Sequence, residues 1–262
     1  MSNIQINTFA DLLAQGKTPE ILFWVGCAGS FDERAKKITK AFAKILNQAN
    51  VSFAVLGSEE GCTGDPAKRA GNEFLFQMQA LMNIEILNGY GVKTIVTCDP
   101  HSFNTLKNEY PSLGGKYEVF HHTQYIQKLI SENRLQINDA TLKGKRLTFH
   151  DPCYLGRAND EYESPREIIR KLGANLTEMK RHKSTALCCG AGGAQMFKDA
   201  EKGDKEVNIL RTEDALETNP QIIATGCPYC KTMMADGVKF KEKETEIVVK
   251  DIAELIAEAN NL

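Results

Sequence analysis

The chain has 262 residues, 42% of them hydrophobic and 25% charged, with a formal net charge of −2. This is the composition of an ordinary globular protein, long enough for one large or two modest domains, and its near-neutral balance gives no electrostatic footing for nucleic acid or an anionic membrane. The longest apolar stretch, residues 21–28, is far too short to span a bilayer.

Residues 1–20 read as an N-terminal extension. They lack the basic-then-apolar pattern of a secretion signal, so the eight cysteines are expected in a reducing, cytoplasmic compartment, where clustered thiols serve metals or redox chemistry. Residues 21–26 form a short apolar run closed by Gly26-Cys27-Ala28-Gly29, the pattern of a buried parallel strand. Asp32 is placed to cap a helix carrying Ile38, Phe42, Ile45 and Leu46 at helical spacing. A second strand at 52–56 ends in the turn-like GSEEGCTGDP. One long helix is expected over 66–87, apolar on more than one face, which predicts burial between two halves of the protein or, alternatively, a partner interface. Strands at 93–97 and 117–121 and a helix over 123–134 complete a first half, residues 21–135.

The order then begins again, over residues 145–262: strand 146–150, helix 164–172, strand 175–179, one helix or two before Thr218, strands 222–225 and 246–249, and a closing helix capped by Asp251. Repeated strand–loop–helix order predicts an α/β fold of two tandem, Rossmann-like halves with parallel sheets. Loops that bear ligands then fall at the carboxyl ends of strands.

The cysteines sit in such loops. Cys153 stands in FHDPCYLG, Cys188 and Cys189 in LCCGAGG, and Cys227 and Cys230 in TGCPYCK. Thirty-four residues separate Cys153 from Cys188 and thirty-seven separate Cys189 from Cys227. Five thiols on three turns, two of them glycine-rich, exceed the four that a structural zinc needs and suit an iron–sulfur cluster; zinc remains the alternative. Gly190, Gly192 and Gly193 have no dinucleotide-binding spacing and make room beside the thiols instead. His150 stands where it could donate a hydrogen bond nearby, or simply be satisfied at a strand end.

The two halves also match each other, since Cys27 and Cys62 enclose thirty-four residues as Cys153 and Cys188 do. With the halves aligned, Thr63 falls opposite Cys189, Asp99 opposite Cys227 and Ser102 opposite Cys230. The chain reads as an internal duplication whose second copy alone keeps a full set. Cys27, Cys62 and Cys98 are then remnants packed as small hydrophobes, a second metal site completed by His101, or part of a pocket for a redox partner.

The pattern Cys-x(n)-Cys-Cys-Gly-x(n)-Cys-x-x-Cys resembles the cysteine-rich "CCG" domain of heterodisulfide reductase-type iron–sulfur proteins, over about residues 20–260. Members include the catalytic components of heterodisulfide reductase and the iron–sulfur components of glycolate oxidase and lactate utilisation. GDPAKRAGNEFLFQ and PHSFNTLKNEYP are most similar to bacterial membrane-associated members. The resemblance implies Cys153, Cys188, Cys189, Cys227 and Cys230 as ligands of one [4Fe-4S] cluster, non-cubane in the best understood members, at the interface between halves. It implies an oxidoreductase subunit that moves electrons between a partner and a disulfide, quinone or similar acceptor. A non-catalytic electron-transfer or assembly subunit, or a zinc-stabilised scaffold, are the alternatives. Larger members begin with a ferredoxin-like segment bearing Cys-x-x-Cys-x-x-Cys runs that this sequence does not contain, so a separate ferredoxin-like, flavin or cytochrome subunit is implied. Any attachment to the inner face of the plasma membrane would come through that partner. The broken motif at Thr63, Asp99 and Ser102 departs from the family pattern in the first half.

Overall fold

The computed structural model describes residues 6–138, 141–199 and 202–262. The first half runs α1 (Phe9–Ala14), β1 (Ile21–Trp24), α2 (Gly26–Phe31), α3 (Ala35–Gln48), β2 (Phe53–Ala54), α4 (Asp65–Arg69), α5 (Glu73–Gly89), β3 (Thr94–Thr97), α6 (Pro100–Asn104), β4 (Glu118–His121) and α7 (His122–Ser131). The second runs β5 (Arg146–Phe149), α8 (Glu163–Lys171), β6 (Asn175–Leu176), α9 (Val207–Leu216), β7 (Ile222–Thr225), α10 (Pro228–Phe240), β8 (Val248–Asp251) and α11 (Ile252–Ala259).

Each half carries a four-stranded sheet, ordered β2-β1-β3-β4 and β6-β5-β7-β8, and every pairing is parallel. The fold is therefore α/β, with one strand order used twice. All four residues of β1 and of β7 are buried, as expected of strands covered by helices on both faces. Strands β2 and β6 keep only two residues each of the longer stretches expected at 52–56 and 175–179. Strand β8 begins at Val248 rather than 246.

The halves share one core. Phe42, Ile126 and Leu129 from the first and Phe149, Ile168 and Ile256 from the second belong to the same buried cluster. Helix α11 packs on α3, and α8 on α7. At the carboxyl ends of β4 and β8 the halves are also tied by polar groups: His121 Nε2 lies 3.0 Å from the Gly226 carbonyl, and His122 bridges His121 and Asp251 at 3.1 and 3.0 Å.

The helix expected over 66–87 is two helices. Gly71 adopts φ +85°, outside the helical range, and the Asn72 side chain accepts from the Leu75 amide to start α5 afresh. Nor does α5 lie between the halves. Phe76, Ala80, Ile84 and Leu87 face the core of its own half, while Phe74 (76% exposed) and Met82 (63%) head a row with Leu75, Met78 and Leu81 that faces outward. The contact between halves is made instead by α2, α3 and α7 against α8, α10 and α11. Among the described residues, no helix is long and apolar enough to cross a membrane.

Candidate metal centre

The five second-half cysteines come from three segments that meet above the carboxyl ends of β5 and β7. Cys153 follows β5 by way of His150-Asp151-Pro152. Cys227 is the N-cap of α10, where its sulfur accepts from the Cys230 amide at 3.5 Å, and Pro228 occupies the helix start, where a missing N–H costs nothing. The α10 helix was not expected from TGCPYCK, which reads as a turn; its first turn presents Cys230 on the side of Cys227. Cys188 and Cys189 lie on the loop before residues 195–197, where Gly190 turns the backbone at φ +93° and aims its amide at Cys188 Sγ from 3.3 Å.

The thiols interact in sequence, Cys153 with Cys188, Cys188 with Cys189, Cys189 with Cys230 and Cys230 with Cys227, and the sulfurs of Cys189 and Cys230 lie within 4.8 Å of each other. Cys189, Cys227 and Cys230 are buried, and Cys153 and Cys188 are half-buried. Hydrogen bonds from Cys153 and Cys189, with the Gly190 amide, hold Cys188 well below the ordinary thiol range against burial. Its neighbours are pushed up: Cys153 and Cys189 by their contacts with Cys188, and Cys230 by its contacts with Cys189 and Cys227. Thiols packed this closely cannot all ionise unless a cation shares their charge, which is the condition of a metal site.

Charged side chains brace the loops that carry them. Arg166, buried, is bidentate to Asp151 at 2.7 and 3.0 Å and reaches Glu178 at 2.6 and 2.9 Å. Asp151 also accepts from the Lys183 amide at 2.8 Å, so one carboxylate staples the Cys153 loop to the segment leading into Cys188. Buried Arg211 donates from Nε to His150 Nδ1 at 2.9 Å and from Nη1 to the Arg181 carbonyl at 2.6 Å and to Asp214 at 3.2 Å, and its Nη2 has no partner among the described residues. His150, neutral because burial and Arg211 bring its pKa down to about 3, therefore carries its proton on Nε2. A ring nitrogen of His150 lies within 4.8 Å of the sulfurs of Cys189 and Cys230. A buried arginine with an idle donor beside a cage of thiols fits an anionic group held by those thiols.

The equivalent place in the first half is closed differently. Asp99 caps α6 as Cys227 caps α10, but its carboxylate accepts from the amides of His101 and Ser102 and from Ser102 Oγ at 2.7 Å. His101 Nδ1 lies 3.0 Å from Asp65; burial opposes its charge, but Asp65 and then Asp99 raise its pKa to about 9. Cys27 lies on α2, and Cys62 takes the Gly64 amide at 3.4 Å, as Cys188 takes that of Gly190. The structure brings Cys27, Cys62 and His101 to one cleft, whereas Cys98 lies in the apolar core shared by the halves.

That cleft lies between the halves. Its second-half wall is Ala191, Gly192, Ala194, Met196, Phe197 and Tyr229. The two sites abut, since one ligand atom each from Asp99, His101 and Cys227 falls within 4.8 Å of the others. His101 is flanked by second-half rings, Tyr154 at 4.4 Å and Tyr229 at 5.3 Å between centroids, and Tyr229 Oη lies 3.2 Å from Cys27 Sγ. Sequence reasoning missed Tyr154, Tyr229, Asp65, Asp151, Arg166 and Arg211. Three of them carried a signal, Tyr229 inside Cys-Pro-Tyr-Cys and Asp151 and Tyr154 beside Cys153 in FHDPCYLG.

Fold and site together define an α/β protein of duplicated halves with a cage of thiols on the second. The chain belongs to the cysteine-rich domain (CCG) family, whose pattern matches it twice, at residues 21–107 and 147–235. It is 47% identical over 256 residues to the probable iron–sulfur-binding oxidoreductase FadF of Bacillus subtilis, covering 97% of this chain and 36% of that one. It is 44% identical to the EtfAB:quinone oxidoreductase of Syntrophomonas wolfei, covering 93% and 35%. It is 33% identical to a component of the dihydromethanophenazine:CoB–CoM heterodisulfide reductase of Methanosarcina barkeri, covering 93% and 59%. The chain thus spans between about a third and three-fifths of the length of these relatives.

Proposed function

We propose that Cys153, Cys188, Cys189, Cys227 and Cys230 hold an iron–sulfur cluster, and that the chain is the cluster-bearing part of an oxidoreductase passing electrons between a partner and a small acceptor such as a disulfide or quinone. The observation that carries this reading is the gathering of five interacting thiols from three loops, four of them in one packed cluster, backed by a buried arginine. The names of the relatives, an iron–sulfur-binding oxidoreductase, a quinone oxidoreductase and a heterodisulfide reductase component, support it.

Such a cluster, when bound, accepts and releases electrons singly at a potential set by its ligands, hydrogen bonds to sulfur and burial. The residues of this chain supply those settings. The Gly190 and Cys230 amides donate to Cys188 and Cys227, His150 stands with a ring nitrogen near Cys189 and Cys230, and Arg211 sets the orientation and tautomer of that ring. One [4Fe-4S] cluster, cubane or non-cubane, suits five thiolates. The electron partner would be a ferredoxin-like, flavin or cytochrome polypeptide, and attachment to the cytoplasmic face of a membrane would come through it.

The test is the metal and acid-labile sulfide content of protein purified anaerobically. About four irons and four sulfides per chain are expected. One zinc without sulfide, the content of a structural site, would overturn the redox reading and leave a scaffold.

A further inference from the structure

We propose that Cys27 and Cys62 form a redox-active dithiol, an attacking thiol and its resolving partner, which exchanges with small disulfides entering from an apolar vestibule beside Phe31 and Phe197. Cys27 and Cys62 line the same narrow cleft, Cys27 toward solvent and Cys62 half-buried behind it. Donors already converge on Cys27: the Cys62 thiol, the Tyr229 hydroxyl at 3.2 Å and the Ala28 amide. The Cys62 contact, helped by Tyr229 and opposed by burial and Asp99, brings the Cys27 pKa down to about 6 and pushes that of Cys62 up. An accessible thiolate with a protonated thiol behind it is the arrangement thiol–disulfide exchange requires.

The surroundings leave this pair free for such chemistry. Asp99 is occupied by Ser102 and two backbone amides, His101 is held by Asp65, and Cys98 is buried in the core. The groups that would complete a metal site with Cys27 and Cys62 are thus engaged elsewhere. Access has a direction. A vestibule of about 310 Å³, lined by Phe31, Met196, Phe197 and Tyr229, opens onto Cys27. The cleft beyond it, toward Cys62, has about 20 Å³ of open space, room for about a single water. A ligand therefore meets Cys27 and stops there, and Cys62 completes the reaction from behind.

The steps balance. The Cys27 thiolate attacks one sulfur of R–S–S–R′, the S–S bond breaks, and R′S⁻ leaves with the electron pair. Cys62 then attacks the Cys27 sulfur of the mixed disulfide, expelling RS⁻, which takes up the Cys62 proton. The substrate disulfide is reduced to two thiols, and the chain is oxidised to a Cys27–Cys62 disulfide. Restoring the dithiol takes two electrons and two protons; only this turnover rests on the redox role proposed for the second-half site, and the exchange itself does not.

The test uses the full chain, purified anaerobically, with the neutral aromatic disulfide 4,4′-dithiodipyridine as probe at pH 7, followed by acid quench and peptide mapping. The wild type is expected to release about two thiopyridones per chain in a fast phase and to yield a Cys27–Cys62 disulfide. Cys62→Ser should release about one and retain the pyridyl adduct on Cys27, and Cys27→Ser should slow the fast phase at least tenfold, roughly the loss of a thiolate with lowered pKa. Iron content, measured on the same preparations, should not change with either substitution. If iron is absent from all of them, the cluster reading fails while fast exchange at Cys27 still supports the dithiol. A fast phase persisting in Cys27→Ser, a wild type without the Cys27–Cys62 bond, or iron lost on replacing either cysteine would overturn the proposal.

Discussion

The two halves share strand order, spacing and even a cysteine-directed glycine amide, yet they resolve the same loop geometry in opposite ways. In the second half, Cys227 caps α10 with sulfur, Cys189 and Cys230 pack beside it, and buried Arg211 reaches the cage only through His150. In the first, Asp99 caps α6 with a carboxylate whose bonds close on Ser102 and the backbone. A hydroxyl–carboxylate pair satisfies itself, whereas packed thiols leave an electrostatic demand that something must meet. Duplication thus produced one site that is complete without a ligand and one that is not.

The comparison can be broken most severely at Cys189, the link between Cys188 and Cys230. Cys189→Ser should lose most of the bound metal and sulfide, measured by elemental and sulfide analysis, with the remaining fold checked by circular dichroism; retention of full metal content would mean that the cage is held otherwise. The reverse change is the sharper test of equivalence. Restoring the full set with Thr63→Cys, Asp99→Cys and Ser102→Cys together should raise iron per chain toward roughly double, as a second cluster of the same type would require. An unchanged iron content would show that the first half has lost more than its ligands. The smallest effect is expected from Ser102→Ala, which deletes one buried hydrogen bond to Asp99 and should lower unfolding free energy by about 1–2 kcal/mol, read from urea denaturation. No loss would mean that the two backbone amides suffice for Asp99.

Much of this was legible beforehand, for a simple reason. Buried parallel strands are short apolar runs ending in turns, so β1, β3, β5 and β7 stand out, and thirty-four-residue spacings between cysteines exposed the repeat. Other features were hidden by their composition. Gly26-Cys27-Ala28-Gly29, CDPHSFN and CPYCK contain the residues of turns, yet each starts a helix, two of them with Pro at the first position and a polar or thiol cap before it. The break between α4 and α5 turns on the backbone angle of a single glycine, and the outward face of α5 on which helices the second half brought to the interface.

By itself, then, the sequence determined the local matters: the period of its strands, the duplication, the thiol-bearing loops and their place after strands. Only the tertiary structure decided what those loops meet. Tyr229 reaches Cys27 across 202 positions, Arg211 reaches His150 across 61, and Asp251 reaches His122 across 129. Such contacts arise because two similar sheets pack their helices into one core and turn both sets of strand ends toward the same cleft. No spacing along the chain encodes that meeting, since it depends on the fit of two surfaces made from distant residues.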